Sequence, residues 1–280
     1  MILTYWGVRG SVPVPGPTTL KFGGNTSCIT IERDGHVLIV DAGTGIRALG
    51  EAQIGTGREF YLLLTHLHAD HLQGFPFFQP LYRAGERVHL MDYRHDSRAF
   101  SAIELFDGVQ VPMGPTTVKA DCECSAGNPL EYLRAREFHV ESIALNHPGG
   151  ALGYRISNGG RSVVHITDND LSYEDGAATS FDAFVDFCRG ADVLSHDAQW
   201  TAAEATARRG WGHSSVDDVC RLARAAQVKR LILFHHDPAR TDAQVDAIQQ
   251  AARRDLAAAG IPCEAAREGL RIDLTSERDR

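Results

Sequence analysis

The chain has 280 residues, 43 % hydrophobic and 23 % charged, with a net charge of −8 at neutral pH. That composition is ordinary for a globular protein and excludes a collagen-like fibre, an extended disordered chain and a cationic wrapper of nucleic acid; no apolar run reaches the roughly 20 residues that cross a bilayer, so no membrane contact is expected. One domain over 1–280, or two halves sharing a core, is expected, and Met1-Ile2-Leu3-Thr4-Tyr5-Trp6 has no cationic leader before an apolar stretch, which makes the cytoplasm the expected location.

In chain order, residues 28–33 and 36–41 flank Asp34-Gly35, a two-residue turn that tolerates positive φ, and predict a β-hairpin. Residues 61–65 and 87–91 predict strands. Residues 107–135 combine Gly, Pro and Cys122-Glu-Cys124; a lid or interface insertion and an ordinary surface excursion both suit them. The six cysteines are scattered, so no disulfide framework is expected, and the close pair reads as a loop feature with a zinc knuckle as the alternative. A strand is predicted at 141–145, then a second hairpin, 153–157 with 161–167, turning at Asn158-Gly159-Gly160. Helix 180–189 places Phe181, Phe184, Val185 and Cys188 at helical spacing, and strand 192–195 follows it. Helix 215–226 opens on a Ser214-x-x-Asp217 capping box; strand 230–234 precedes helix 242–259, which Gly260 closes with Pro262 beyond. Strands mixed with helices throughout, including two hairpins, predict an α/β protein with mixed sheets.

Within six residues, His66-Leu67-His68-Ala69-Asp70-His71 places three of the chain's thirteen histidines and a carboxylate directly after an apolar strand. In extended backbone residues i and i+2 share a side, so His66 and His68 can offer imidazoles to one ion; Asp70 and His71, where the chain turns, can face a second. These donors suit zinc, iron or manganese. A surface cluster of polar residues is the alternative, but Leu62-Leu63-Leu64 mark the strand as buried, where polar groups need partners. The pattern recurs downstream: His147 follows the strand ending at Leu145, Asp168 follows Val163-Val164-His165-Ile166-Thr167, and His235 follows Leu231-Ile232-Leu233-Phe234. In layered α/β folds such strand ends gather on one rim, where ligands bind. Gly43-x-Gly45-x-x-Ala48 after a strand also fits a dinucleotide fingerprint, yet the next strand ends in metal-type histidines instead of a ribose-binding acid. No Gly-x-Ser-x-Gly elbow, His-Glu-x-x-His helix or Gly-x-x-x-x-Gly-Lys loop occurs.

Thr65-His66-Leu67-His68-Ala69-Asp70-His71 resembles the signature of the metallo-β-lactamase superfamily. Asn146-His147-Pro148-Gly149-Gly150, Thr167-Asp168, Trp211-Gly212-His213-Ser214-Ser215 and Phe234-His235-His236 follow in the family's order, so the resemblance runs from about residue 20 to 240. It implies a four-layer αββα sandwich with two divalent ions, expected to be zinc, with manganese or iron compatible. It places His66, His68 and His147 on the first metal, Asp70, His71 and His235 on the second, and Asp168 bridging both. His235 comes directly after its strand, as the family has it, and His236 is the fallback. Asp41 matches a strand-end carboxylate that supports the ligands from outside, while His165 and His196 are expected to be supporting or core residues.

Two ions about 3.5–4 Å apart would share a water and lower its pKa from about 16 toward about 7, which supplies a bridging hydroxide for hydrolysis without a covalent enzyme intermediate. Asp70 can accept a proton as that water attacks. His213, just before a capped helix, lies either where anions and leaving groups are served or at plain helix-entry punctuation. The resemblance favours the former: a Gly-His-Ser segment here is characteristic of the ribonuclease Z-like and cyclic-nucleotide phosphodiesterase branches, and β-lactamases proper do not share it. Arg9-Gly10-Ser11-Val12-Pro13, Gly23-Gly24-Asn25-Thr26-Ser27-Cys28 and His235-His236-Asp237-Pro238 look closer to the phosphodiesterase type. The expected activity is hydrolysis of a small phosphodiester such as a cyclic nucleotide. An RNA-processing endoribonuclease of the ribonuclease Z type is the second choice, and a lactone or thioester hydrolase or a non-hydrolytic iron redox or sensing protein on the same fold are further alternatives. Only the resemblance implies a homodimer.

Overall fold

The computed structural model describes residues 1–91, 93–95, 98–106, 108, 111–124, 128–173 and 176–275. In chain order the elements are β1 (Ile2–Gly7), β2 (Cys28–Arg33), β3 (His36–Val40), α1 (Ile46–Gln53), β4 (Glu59–Leu63), β5 (Arg87–Leu90), β6 (Tyr93–His95), β7 (Arg98–Phe100), β8 (Asp121–Cys124) and α2 (Pro129–Arg134). There follow β9 (His139–Leu145), β10 (Ala151–Asn158), β11 (Arg161–Ile166), α3 (Phe181–Cys188), β12 (Val193–Asp197), α4 (Ala202–Ala207), α5 (Val216–Ala225), β13 (Leu231–Phe234), α6 (Asp242–Leu256), β14 (Cys263–Ala265) and β15 (Arg271–Asp273). The chain divides into two compact units, 1–13 with 25–132 and 267–280, and 14–24 with 133–266.

The first unit is built on a mixed sheet in the order β15-β1-β2-β3-β4-β5-β8. Its central hairpin turns at Asp34 and Gly35, both at positive φ (46° and 85°), the twist that a two-residue connection needs. After β3 the chain crosses through α1 and returns as β4, parallel to β3. A parallel strand is covered on both faces, and Val37–Val40 and Phe60–Leu63 are accordingly buried throughout rather than in alternation. Parallel pairing also sets the carboxyl ends of β3 and β4 side by side, which brings Asp41 next to the run from Thr65. Part of the 107–135 stretch is ordered sheet: β8 pairs in parallel with β5 at the edge. All six cysteines are free.

The second unit has the order β14-β13-β12-β11-β10-β9. Strands β9, β10 and β11 form an antiparallel meander, with Gly159 and Gly160 at positive φ in its turn, and β11 to β14 run parallel, separated in sequence by helices. Leu194, Leu231 and Leu233 of the sheet pack with Phe184 of α3, Val219 and Leu222 of α5 and Leu256 of α6 in one buried cluster. At about 25 cal/mol per Å² of apolar surface removed from water, burial of this cluster stabilises the unit. Helix α5 begins one residue later than its sequence suggests. Ser215, not Ser214, caps it, accepting from the Asp218 N–H at 3.1 Å, because the Ser214 hydroxyl is spent on Asn169 O. Strand β12 extends to Asp197, two residues past the expected end, and β1, α1, α4, β14 and β15 were not anticipated. Among the described residues no helix is long and apolar enough to cross a membrane.

Candidate metal centre

In the first unit the His66–His71 run leaves β4 and folds into a single 3₁₀ turn, Ala69–His71. Asp41 ends β3 with φ 64°, a conformation that costs a non-glycine residue of order 1 kcal/mol and here aims the carboxylate back at that run. Its Oδ1 accepts from the Thr65 N–H at 2.8 Å and its Oδ2 from His71 Nδ1 at 2.7 Å. With Nδ1 donating, His71 presents the Nε2 lone pair, 3.3 Å from Asp70 Oδ2. The Thr65 hydroxyl also gives its proton to Asp41 and so accepts from His66 Nδ1 at 3.1 Å, which selects the same tautomer for His66. The rings of His68 and His71 lie 4.5 and 4.1 Å from that of His66, and the Ser11 N–H donates to Asp70 Oδ2 at 2.8 Å. Of these histidines and carboxylates His68 alone is exposed.

Gly43 explains why this turn fits. A Cβ there would lie 2.2 Å from the Asp70 carbonyl oxygen and 2.7 Å from that of Ser27, so the glycine serves close backbone approach. The dinucleotide reading of Gly43-x-Gly45 is thereby replaced: the loop is filled by the ligand-bearing turn.

In the second unit β11, β12 and β13 run parallel and end together, and Asp168, Asp197 and His235 occupy those ends. Asp168 and His235 again take positive φ, 38° and 57°. His235 Nδ1 donates to Gln199 Oε1 at 3.0 Å, leaving Nε2 3.0 Å from Asp168 Oδ1. His147 Nδ1 donates to the Gly212 carbonyl at 3.0 Å, leaving Nε2 3.7 Å from Asp168 Oδ2. Gly212, at φ 82°, is required there, because a Cβ would fall 2.2 Å from His147 Nδ1.

His213 is not a helix-entry residue. Its Nδ1 donates to Asp197 Oδ2 at 2.9 Å, its ring stacks on His235 at 5.1 Å, and the donor atoms of Asp197, His213 and His235 lie within 4.8 Å of one another. Burial pulls the His213 imidazole down, but Asp197 and the more distant Asp168 charge outweigh it and hold its pKa above the ordinary histidine value. Asp197 is itself fixed by the Gln199 and Asn169 N–H groups. His236 turns away, with Nε2 bonded to Ala266 O at 2.9 Å. His165 and His196 are buried strand residues; His165 meets Ser195 Oγ, and His196 bonds the Asp197 carbonyl, with burial lowering its pKa. Asp197 and Gln199 were missed because β12 was read two residues short; a strand running to Asp197 would have put that carboxylate at the rim beside Asp168 and His235.

The donor sets fit divalent ions. The outer nitrogens of His66, His71, His147 and His235 are each committed to a fixed acceptor, the arrangement that orients metal-ligating imidazoles. In His71, His147 and His235 the inner lone pair then faces a carboxylate oxygen at 3.0–3.7 Å, a repulsive pairing unless a proton or a cation lies between.

A family model described as "Beta-lactamase superfamily domain" matches residues 36–236. The chain belongs to that superfamily. The Ribonuclease Z of Methanosarcina acetivorans is 26 % identical over 278 residues, covering 86 % of this chain and 88 % of that protein. The solved metallo-β-lactamase fold protein YhfI from Bacillus subtilis is 22 % identical, with 97 % of this chain and 98 % of that one covered and a TM-score of 0.70. A structure described as a new diphosphatase from the PhnP family is 19 % identical, with 98 % of each chain covered and a TM-score of 0.63. The fold is the metallo-β-lactamase fold, α/β with two mixed sheets, and the superfamily assignment makes the protein a metal-dependent hydrolase.

Proposed function

We propose that the protein is a dinuclear phosphodiesterase in which His66, His68 and His147 hold one ion, Asp70, His71 and His235 hold the other, and Asp168 serves both. When bound, two divalent ions supply Lewis-acid charge for the phosphoryl oxygens and a water nucleophile at neutral pH; zinc is the proposed metal, and iron or manganese would suit the same donors. The remaining chemistry belongs to the chain. Asp197 fixes His213 Nδ1 as a donor, so Nε2 is the atom that carries a mobile proton, and the raised pKa keeps that proton in place for a leaving oxygen. Asp70, pinned by the Ser11 N–H, accepts the proton of the attacking water.

The Asp197–His213 pair carries the phosphodiester reading: it supplies an acid for an alkoxide leaving group, and it sits in the Gly212-His213-Ser214 segment that resembles the phosphodiester-cleaving branches and that β-lactamases proper do not share. The substrate proposed is a small phosphodiester such as a cyclic nucleotide. Between β9 and β11 the described chain turns back in a tight hairpin with no long Gly/Pro-rich arm to grip transfer RNA, and a net charge of −8 disfavours a long polyanion. The Ribonuclease Z name of the Methanosarcina acetivorans relative, matched over most of both chains, favours RNA as the second reading. A homodimer is part of the same proposal, on the resemblance alone.

Metal content and hydrolysis of bis(p-nitrophenyl) phosphate, compared for the wild type and Asp168→Ala, test the centre. Loss of metal and of turnover is expected; a metal-free wild type, or activity untouched by the substitution, overturns the proposal. A panel of cyclic mononucleotides against transfer-RNA precursors separates the two substrate readings.

A further inference from the structure

The second unit also carries a groove of about 830 Å³ that the chemistry above leaves unused. Two loops form its walls, one running on from Asp168 through Asp170 to Tyr173, the other reaching Arg209 and Gly210 just ahead of His213. Backbone spans at most about 3.6 Å per residue, so the groove begins within about 7 Å of Asp168 and about 11 Å of His213 along the chain. The loops are fastened together: the Leu171 N–H donates to Ser214 Oγ at 3.2 Å, and that hydroxyl donates to Asn169 O at 2.5 Å. This groove therefore continues from the His213 side of the centre.

Its charges do not cancel in effect. Asp170 is buried and occupied by the Ser172 N–H and hydroxyl at 2.9 and 2.7 Å. Asp218 accepts from the Ser215 hydroxyl and pairs with Arg221 at 3.2 Å, while the Arg221 guanidinium lies 4.2 Å over the Phe181 ring. Arg209 is exposed and has no ion pair or hydrogen bond among the described residues, so one guanidinium is left to serve an outside anion. Two large aromatic side chains are exposed close by along the chain: Tyr173 in the groove wall, 44 % exposed, and Trp211 just beyond Gly210, 61 % exposed and edge-on to Trp200 at 6.2 Å. A cation with exposed aromatic side chains close by is a combination that takes a nucleotide, phosphate on the charge and base on the ring.

We propose that this groove is a subsite for a second nucleotide, with its phosphate on Arg209 and its base against Trp211 or Tyr173. The preferred substrate is then a dinucleotide-sized phosphodiester bearing a terminal phosphate. The position of the scissile bond rests on the phosphodiesterase reading; the binding does not. The test compares ApA with pApA and ApAp on the metal-loaded wild type, Arg209→Ala and Trp211→Ala, by turnover and by calorimetric titration. In the wild type one of the two phosphorylated dinucleotides should exceed ApA by about 10- to 100-fold in kcat/KM and in affinity, the usual worth of a charge-assisted contact, and Arg209→Ala should bring that ratio close to one. Trp211→Ala should weaken all three ligands by about tenfold while leaving their order intact. A wild-type ratio near one, or a ratio that survives Arg209→Ala, overturns the subsite. If neither these dinucleotides nor bis(p-nitrophenyl) phosphate are hydrolysed, the phosphodiesterase reading fails, and the titrations alone decide the subsite by the same ratios.

Discussion

At the scale of single residues, function depends on which nitrogen an imidazole offers. His71, His147 and His235 each commit Nδ1 to a different acceptor, a carboxylate, a main-chain carbonyl and a side-chain amide, and each therefore presents Nε2 inward. His213 is held in the same way but by Asp197, a partner that raises its proton affinity rather than merely turning the ring. Replacing Asp197 by Asn keeps the size and loses the charge. Turnover of a cyclic mononucleotide, whose leaving group is an alkoxide, should fall by about 10²–10⁴-fold, as for loss of a positioned acid, with metal content unchanged. Adding His213→Ala to that variant should cost little more, because the pair acts as one unit. Fully additive losses in steady-state kinetics would show that Asp197 does not act through His213.

Elements bring these residues within reach because parallel strands end together. Asp41 and the Thr65–His71 run share the carboxyl ends of β3 and β4, and Asp168, Asp197 and His235 share those of β11, β12 and β13. The strand ends are strained at Asp41, Asp168 and His235, which all lie at positive φ, and the surrounding hydrogen bonds must overcome that cost. Gly43 makes one of the close fits that hold these ends in place. A Cβ there meets main-chain oxygens at 2.2 and 2.7 Å, neither of which can swing aside, and the Thr26 hydroxyl at 2.5 Å. Gly43→Ala should therefore lower stability by about 1–3 kcal/mol, the usual cost of overpacking, and displace the Asp70–His71 turn. Urea unfolding measures the first effect and zinc titration the second. An unchanged midpoint together with unchanged zinc affinity would mean that the loop relaxes more easily than its neighbours suggest.

Over the whole molecule, charge contributes to stability mainly where it ties distant stretches of chain. Asp192 accepts from the Ser162 N–H at 2.8 Å, Arg161 at 3.0 Å and Lys229 at 2.9 Å, joining β11 to the turn that precedes β13. Burial pushes its carboxyl pKa up, but Lys229, the Ser162 N–H and Arg161 together bring it below the ordinary carboxylate value. A carboxylate whose folded pKa is depressed contributes stability that is complete above its unfolded pKa of about 3.9 and is lost as the pH falls through the folded value. Asp192→Asn should thus lower the melting temperature at pH 7, with the gap to wild type closing below about pH 4. A gap that stays constant down to pH 2 would assign the effect to packing instead.

Sequence alone made the candidate ligands legible, because hydrophobic runs ending in His or Asp are local patterns: His66, His68, Asp70, His71, His147, Asp168 and His235 all follow readable strands. It also determined both hairpin turns, where Asp34-Gly35 and Gly159-Gly160 supply the positive φ that such turns demand. Tertiary structure decided what depends on partners far away in the chain. Ser214 lost its capping role to a hydrogen bond with Asn169, and Asp197 became the partner of His213 only because β12 runs two residues further between its parallel neighbours. The edge strands β14 and β15 are three residues each, too short to carry a period, and exist because neighbouring strands offer unpaired main-chain groups. Hydrophobic period is written residue by residue; the acceptor that fixes an imidazole's proton is chosen only when separate strands meet.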